Sequence, residues 1–263
     1  MFAADVPTAV TTNYDRIARF YDVDMARNMP FDDVGFYRTL AAATRGCVVE
    51  LGCGNGRILL ELLAAGIDAI GVDASGGMLA ELRQKARARG LPAPVARMDV
   101  RTLALRPGFA LVLCPYSLVT YMTTDAAVSA LLAGARAALA PGGRLVIDAF
   151  VPRAPSPTDE FTLDYRRPFG EHVLARWKRV RPAGPACNRI ERRYRVEDAA
   201  GRTLECVDVE EEVRPFAPEA LRGQLRAAGL APGREWWDYG TASHAPAAQF
   251  FTLEASRADA PGV

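Results

Sequence analysis

Lysine is nearly missing from this 263-residue chain: Lys85 and Lys178 are its only two, so the positive charge is almost all arginine. Histidine is as scarce, with only His172 and His244. The five cysteines, Cys47, Cys53, Cys114, Cys187 and Cys206, are scattered and form no CxxC pair. That excludes a disulfide framework and a cysteine-based zinc site, and leaves most of them as small core residues. No apolar run approaches the ~20 residues of a membrane helix. The opening MFAADVPTAVTTNYDR has no basic segment followed by an apolar one, so no secretory leader is expected and a cytoplasmic location is the default. A net charge of +1 argues against a general nucleic-acid binder, though not against a local basic patch. With 50% hydrophobic and 24% charged residues, global disorder is excluded and a full core is available. The length suits one large domain, or one domain with an elaborate insertion, and no internal repeat interrupts it.

The N-terminal stretch to about Pro30 carries Tyr14, Ile17, Phe20 and Tyr21 at helical spacing and predicts a short amphipathic helix. Asp32 to Ala43 predicts a second. Strands and helices then alternate. Strands are expected at Cys47 to Leu51, Asp68 to Val72, Val95 to Met98, Phe109 to Cys114 and Arg144 to Phe150, the last led in by the turn at Pro141 to Gly143. Helices fall between them, from Arg57 to Ala65, from Ser75 to Arg89 and from Thr124 to Leu139. Such alternation implies right-handed crossovers and a parallel sheet covered on both faces. After Phe150 the pattern changes. Four β-rich segments, Phe161 to Tyr165, His172 to Val180, Asn188 to Glu197 and Thr203 to Val213, predict an antiparallel meander. The third is basic and the fourth acidic, which suits charge pairing across neighbouring strands better than a nucleic-acid patch. A helix at Pro218 to Ala228 and short strands near Glu235 to Tyr239 and Gln249 to Glu254 finish the chain.

The segment VVELGCGNGR, Val48 to Arg57, is the most informative. Gly52 and Gly54 lie between the first strand and the first helix of the alternating region, where backbone N–H groups and a positive helix end meet a ligand. The dinucleotide pattern G-x-G-x-x-G would place its third glycine at position 57, which is arginine; the third glycine here is Gly56. Glu50 puts a negative charge where a pyrophosphate is unwelcome. Both features favour a ligand without phosphates over NAD. Asp73, ending the second strand, suits a ribose, and Asp99, ending the third, suits an adenine amino group.

The chain resembles class I S-adenosylmethionine-dependent methyltransferases. VVELGCGNGR, GVDAS, ARMDV, LVLCPYSL and LAPGGRLVIDAF match that family's successive motifs over Cys47 to Phe150. NYDRIARFYD, MDVRTLAL and CPYSLVTYMTT are similar to sugar-amine N,N-dimethyltransferases and glycine N-methyltransferase-like enzymes. The resemblance implies a Rossmann-like α/β fold: a seven-stranded sheet with helices on both faces, a C-terminal antiparallel hairpin, and an antiparallel β insertion capping the acceptor. It divides a single domain into lid helices (1–44), cofactor-binding core (45–150), β cap (151–213) and a C-terminal helix and hairpin (214–257).

The same resemblance assigns roles. Glu50, Gly52, Cys53 and Gly54 surround the methionine end of S-adenosylmethionine. Asp73 holds the ribose, Ala74 and Met78 pack near the adenine, and Asp99 with the Val100 backbone reads the adenine edge. Cys114, Pro115 and Tyr116 lie beside the sulfonium, and Tyr14 and Tyr21 close over the cofactor carboxylate. Tyr116, His172 and His244 are the catalytic candidates. No metal-ligand cluster is visible, and Asp148 has no evident partner at the neighbouring strand ends. The implied activity is N-methylation of a small-molecule acceptor in bacterial secondary metabolism, without nucleic acid or membrane. O-methylation, RNA or protein methylation, and non-catalytic cofactor binding are the alternatives. Assembly is open, a homodimer included.

Overall fold

The structure is a computed structural model that describes residues 12–26, 29–152, 160–184, 186–241 and 248–258. A seven-stranded sheet runs in the order β10-β11-β5-β4-β1-β2-β3. Its strands are β1 (Val48–Leu51), β2 (Ala69–Asp73), β3 (Val95–Arg97), β4 (Phe109–Cys114) and β5 (Leu139–Phe150), all parallel, then β10 (Leu230–Trp237) and β11 (Phe250–Arg257), both antiparallel additions. This is the doubly wound sheet with a C-terminal antiparallel hairpin that the sequence implies. The order reverses between β1 and β4, and such a switch point leaves a crevice at the carboxyl ends of the strands.

The central strands are apolar throughout because both faces are covered. All four residues of β1 are buried, and so are Leu111, Val112, Leu113 and Cys114. On one face pack α3 (Asp33–Ala42), α4 (Leu59–Ala64) and α5 (Gly76–Ala88), with Tyr37, Leu59, Leu62, Leu79 and Leu82 inward. On the other lie α6 (Asp125–Ala138) and α7 (Pro218–Ala227), with Val128, Leu131, Leu132, Leu221 and Leu225. Each such Leu or Val contributes about 1.5–3 kcal/mol by leaving water. Ser75 and Thr124 cap α5 and α6 by accepting from the Met78 and Ala127 amides.

The insertion forms a separate four-stranded antiparallel sheet, β6 (Thr162–Phe169), β7 (His172–Pro182), β8 (Asn188–Glu197) and β9 (Thr203–Val213). The arginines of β8 pair with the acids of β9, as in Arg189 with Glu212, Arg192 with Glu211 and Arg193 with Asp208. Arg195 lies over the Trp177 ring. The basic strand is therefore used inside the sheet.

Several boundaries differ from the sequence reading. The N-terminal helix is broken: α1 (Asn13–Ile17) and α2 (Tyr21–Met25) flank a 3-10 turn at Ala18–Phe20. Ile17 and Phe20 enter a cluster with Tyr165, Leu174, Tyr194 and Val207, so this lid segment covers the apolar face of the cap sheet. β5 starts at Leu139 rather than Arg144, with a register shift opposite Phe109 and Leu111. β6 runs on to Phe169, well past Tyr165, because hairpin pairing with β7 continues to Phe169 and His172. β10 starts at Leu230 and stops at Trp237, because Asp238 and Tyr239 adopt positive φ and turn the chain. Among the described residues no helix is long and apolar enough to cross a membrane.

Candidate active site

The strand ends open onto a cavity of about 310 Å³. Its floor is the glycine turn. The Gly52 and Cys53 amides donate to the Val72 carbonyl, tying the turn to β2, and the Gly54 amide donates to Asp73 Oδ2 at 2.8 Å. Gly52 and Gly54 have φ of 68° and 53°, a region that L side chains resist. A Cβ on Gly52 would lie 2.9 Å from Leu118 Cδ2, and one on Gly54 3.1 Å from Met78 Cε. The turn thus presents bare backbone to the cavity.

Asp73 is fixed by two backbone donors, Gly54 and Ser75, each at 2.8 Å. Burial pushes its pKa up, and those amides oppose the rise. Two oxygens offer about four acceptor sites, so the carboxylate can still receive hydroxyl donors. Ala74, Met78, Asp99 and Val100 continue the wall. Asp99 is held by Arg101, whose hydrogen bonds keep its carboxyl below the usual range.

A small annex of about 30 Å³ adjoins the cavity across Tyr21, Gly52, Gly54, Pro115 and Tyr116. Glu50, Cys53, Asn55 and Arg57 line it. Glu50 is 3% exposed, and its Oε2 has no hydrogen-bond partner. Burial pushes this carboxyl well above the usual range, against the pull of Arg57. Arg57 is gripped by both oxygens of Asp33 from α3 at 2.6 Å, and its guanidinium lies over the Tyr116 ring. The annex therefore holds a buried carboxylate oxygen awaiting a donor.

After β4 the chain is held in an unusual shape. Tyr116 and Ser117 have φ of 54° and 56°. Both amides donate to Asp148, which also accepts from the hydroxyls of Tyr37 and Tyr239. Asp148 is fully buried, and burial lifts its pKa to about 6 despite these donors. Among the described residues no group of three or more His, Cys, Asp or Glu is placed to hold a metal. Asp148 instead has partners invisible in the sequence, and it aims Tyr116 into the cavity.

The N-terminal segment lines one side. Asp15 accepts from Ser75 Oγ and the Gly77 amide, and Asp22 from Asn55 and Lys85, so α1 and α2 are tied to the core. Asp24 ties the lid to the cap through Tyr165, Tyr194 and Arg176. Tyr14 and Tyr21 both reach the cavity. Tyr21 sits at the junction with the annex. The Tyr14 hydroxyl meets that of Tyr121 at 2.6 Å, on the side where β9 contributes Glu211.

Two of the residues expected at the site line neither chamber. His172 is exposed at the hairpin between β6 and β7, opposite Phe169, and lines neither chamber. Cys114 is fully buried among core residues of β4 and lines neither chamber; its neighbours Pro115 and Tyr116 do. His244 lies outside the described residues. Sequence reasoning missed Tyr121, Arg101, Glu211 and the annex role of Arg57. Tyr121 had a signal, since it belongs to the same CPYSLVTYM segment as Tyr116.

A family model described as a methyltransferase domain matches residues 48–143. The chain is 31% identical over 201 residues to a demethylmenaquinone methyltransferase of Thermus thermophilus, covering 74% of this chain and 79% of that one. The fold is similar to a S-adenosylmethionine-dependent methyltransferase from Clostridium acetobutylicum, with a TM-score of 0.76, 18% identity and coverage of 94% of this chain and 99% of that one. It is also similar to a sugar N-methyltransferase from Streptoalloteichus, with a TM-score of 0.71, 22% identity and 98% of each chain covered.

Proposed function

Because the chain belongs to the S-adenosylmethionine-dependent methyltransferases, we propose that it methylates the nitrogen of a small-molecule amine, in secondary metabolism. The cofactor fits the residues present. The bare glycine turn admits its methionine portion, Glu50 Oε2 would receive the ammonium group, Asp73 the ribose hydroxyls, and Ala74, Met78, Asp99 and Val100 would surround the adenine. When bound, S-adenosylmethionine supplies an electrophilic methyl group on a positively charged sulfur.

The chain's own work is positioning and exclusion of water. The residues lining the cavity would hold the acceptor nitrogen with its lone pair toward that methyl group, and the cofactor's sulfur would keep the electron pair of the C–S bond it gives up. The proton on the alkylated nitrogen then leaves to solvent. An amine that arrives neutral needs no dedicated base, whereas a hydroxyl acceptor does.

One observation carries the preference for nitrogen. Four tyrosines, Tyr14, Tyr21, Tyr116 and Tyr121, face the cavity, and burial raises the pKa of each. They stay protonated at neutral pH and serve as hydroxyl donors and aromatic faces rather than as bases. Aromatic faces attract cations and amines, and Glu211 adds a carboxylate to the same wall. The name of the Streptoalloteichus neighbour, a sugar N-methyltransferase, agrees with this reading.

The test is a panel of acceptors paired so that an amine in one is a hydroxyl in the other, with demethylmenaquinone as a contrasting acceptor. Mass spectrometry of the products should place the methyl on nitrogen. Methylation confined to the hydroxyl partners, or to demethylmenaquinone, would overturn the assignment.

A further inference from the structure

Glu211 is the one cap residue, among the described residues, that lines the main cavity. It sits in the acidic run Glu210, Glu211, Glu212 of β9, and alternation turns only the middle acid inward. It is 9% exposed, while the side chains of Glu210 and Glu212 are about half exposed and pair with Arg189. In the other acids of the cavity wall both oxygens already accept a hydrogen bond: in Asp73 from the Gly54 and Ser75 amides, in Asp99 from Arg101. Glu211 is bound through Oε2 alone, to Nη1 of Arg192 on β8. Its Oε1 has no hydrogen bond within the described residues.

We infer that Glu211 is the acceptor-selecting residue: its Oε1 receives the N–H donors of an amine, and Arg192 behind it limits how far the carboxylate stabilises the ammonium form. The inference rests on the amine reading above and names the contact that would select the amine. The second half follows from the chemistry of the step. A buried, uncompensated carboxylate holds a nearby amine in its charged form by raising the amine pKa. An ammonium has no lone pair with which to attack. A carboxylate paired from behind with a guanidinium still accepts a hydrogen bond but leaves a smaller net charge at the nitrogen. Tyr14 and Tyr121, both close enough for the Glu211 charge to help keep them protonated, border the same spot.

Binding separates this role from the methyl transfer itself. Cyclohexylamine and cyclohexanol have nearly the same shape and differ in the group that Glu211 would recognise. Each is titrated into the full chain saturated with S-adenosylhomocysteine, with binding followed by ligand-observed NMR. The native protein should bind the amine at least about tenfold more tightly than the alcohol, the range of a charged hydrogen bond. Glu211→Gln should erase most of that preference while leaving affinity for the alcohol and for S-adenosylhomocysteine unchanged, and Glu211→Asp should restore part of it. Because Glu211→Gln leaves the half-buried Arg192 without its carboxylate partner, the double change Glu211→Gln with Arg192→Met gives a second route to the same loss. A preference that survives both variants overturns the assignment, as does equal or absent binding of the amine to the native protein. Failure of the amine reading would show differently, as methyl transfer to oxygen or carbon in the product assay.

Discussion

Replacing Asp148 by asparagine tests how the loop after β4 is held. The carboxylate accepts four hydrogen bonds: from the Tyr116 amide at 3.0 Å, the Ser117 amide, and the hydroxyls of Tyr37 and Tyr239, the last at 2.9 Å. Asparagine keeps one acceptor oxygen and turns an NH₂ toward donors. Oδ2 accepts three of the four bonds and Oδ1 only that from Ser117, so an asparagine with its oxygen at the Oδ2 position loses one bond, at about 1.5–3 kcal/mol for a bond to a charged group. The change also removes the cost of burying the charge. A pKa raised from 3.8 to about 6 corresponds to about 3 kcal/mol at neutral pH. The two effects nearly cancel at pH 7, leaving the variant within about 1.5 kcal/mol of the native protein. Its pH dependence is more telling. The folded protein binds the Asp148 proton more tightly than the unfolded chain, so this group disfavours folding above pH 6 and stops doing so as pH falls toward 4. Asparagine has no such term. Between pH 7 and pH 4 the native protein should gain about 2–2.5 kcal/mol on the variant, read as a change in the gap between denaturant midpoints. Turnover should drop at least ~10-fold even where the variant is folded, because Tyr116 and Ser117 lose the anchor that holds their positive φ. A stability gap that stays flat across this pH range would refute the reasoning.

The remaining expectations concern the turn, the hairpin and the lid. Gly54→Ala introduces a side chain at φ 53° with Met78 Cε only 3.1 Å from its Cβ, and should cost about 1 kcal/mol or more in thermal unfolding and weaken cofactor binding measured by calorimetry. His172→Ala should leave steady-state turnover within about twofold, since the residue is exposed far along the cap hairpin; a large loss of kcat would return it to the site. Asp24→Ala removes the acceptor of the buried Tyr165 and Tyr194 hydroxyls and leaves Arg176 with Asp164 alone, and should cost about 2–4 kcal/mol in denaturant unfolding; an unchanged midpoint would show that the N-terminal segment does not depend on this node.

Local signals carried most of the core. The glycine turn, the acid ending β2 and the Ser75 cap are set by neighbours within a few residues, so the sequence displays them directly. Cys114 shows the limit of that logic: it is the last residue of a strand whose two faces are both covered, and only the next two residues emerge into the cavity. Glu211 and Asp148 were illegible for a different reason. Which acid of β9 points inward depends on the cap docking against the lid, and the partners of Asp148 come from α3, from the turn at Asp238–Gly240 and from the chain after β4. The helical spacing of Tyr14, Ile17, Phe20 and Tyr21 was visible. The 3-10 break within it follows from packing on two surfaces at once, with Ile17 and Phe20 toward the cap while Tyr14 and Tyr21 turn to the cavity.

The central claim is that the strand-end cavity holds S-adenosylmethionine, with Asp73 on its ribose. Calorimetric titration of S-adenosylmethionine into the native protein and into Asp73→Ala tests it most directly. Saturable binding to the native chain is expected, with no binding of NAD under the same conditions and about 5–150-fold weaker binding to a folded Asp73→Ala protein, equivalent to about 1–3 kcal/mol. Equal affinity in the two proteins, or NAD bound as tightly as S-adenosylmethionine, would contradict it.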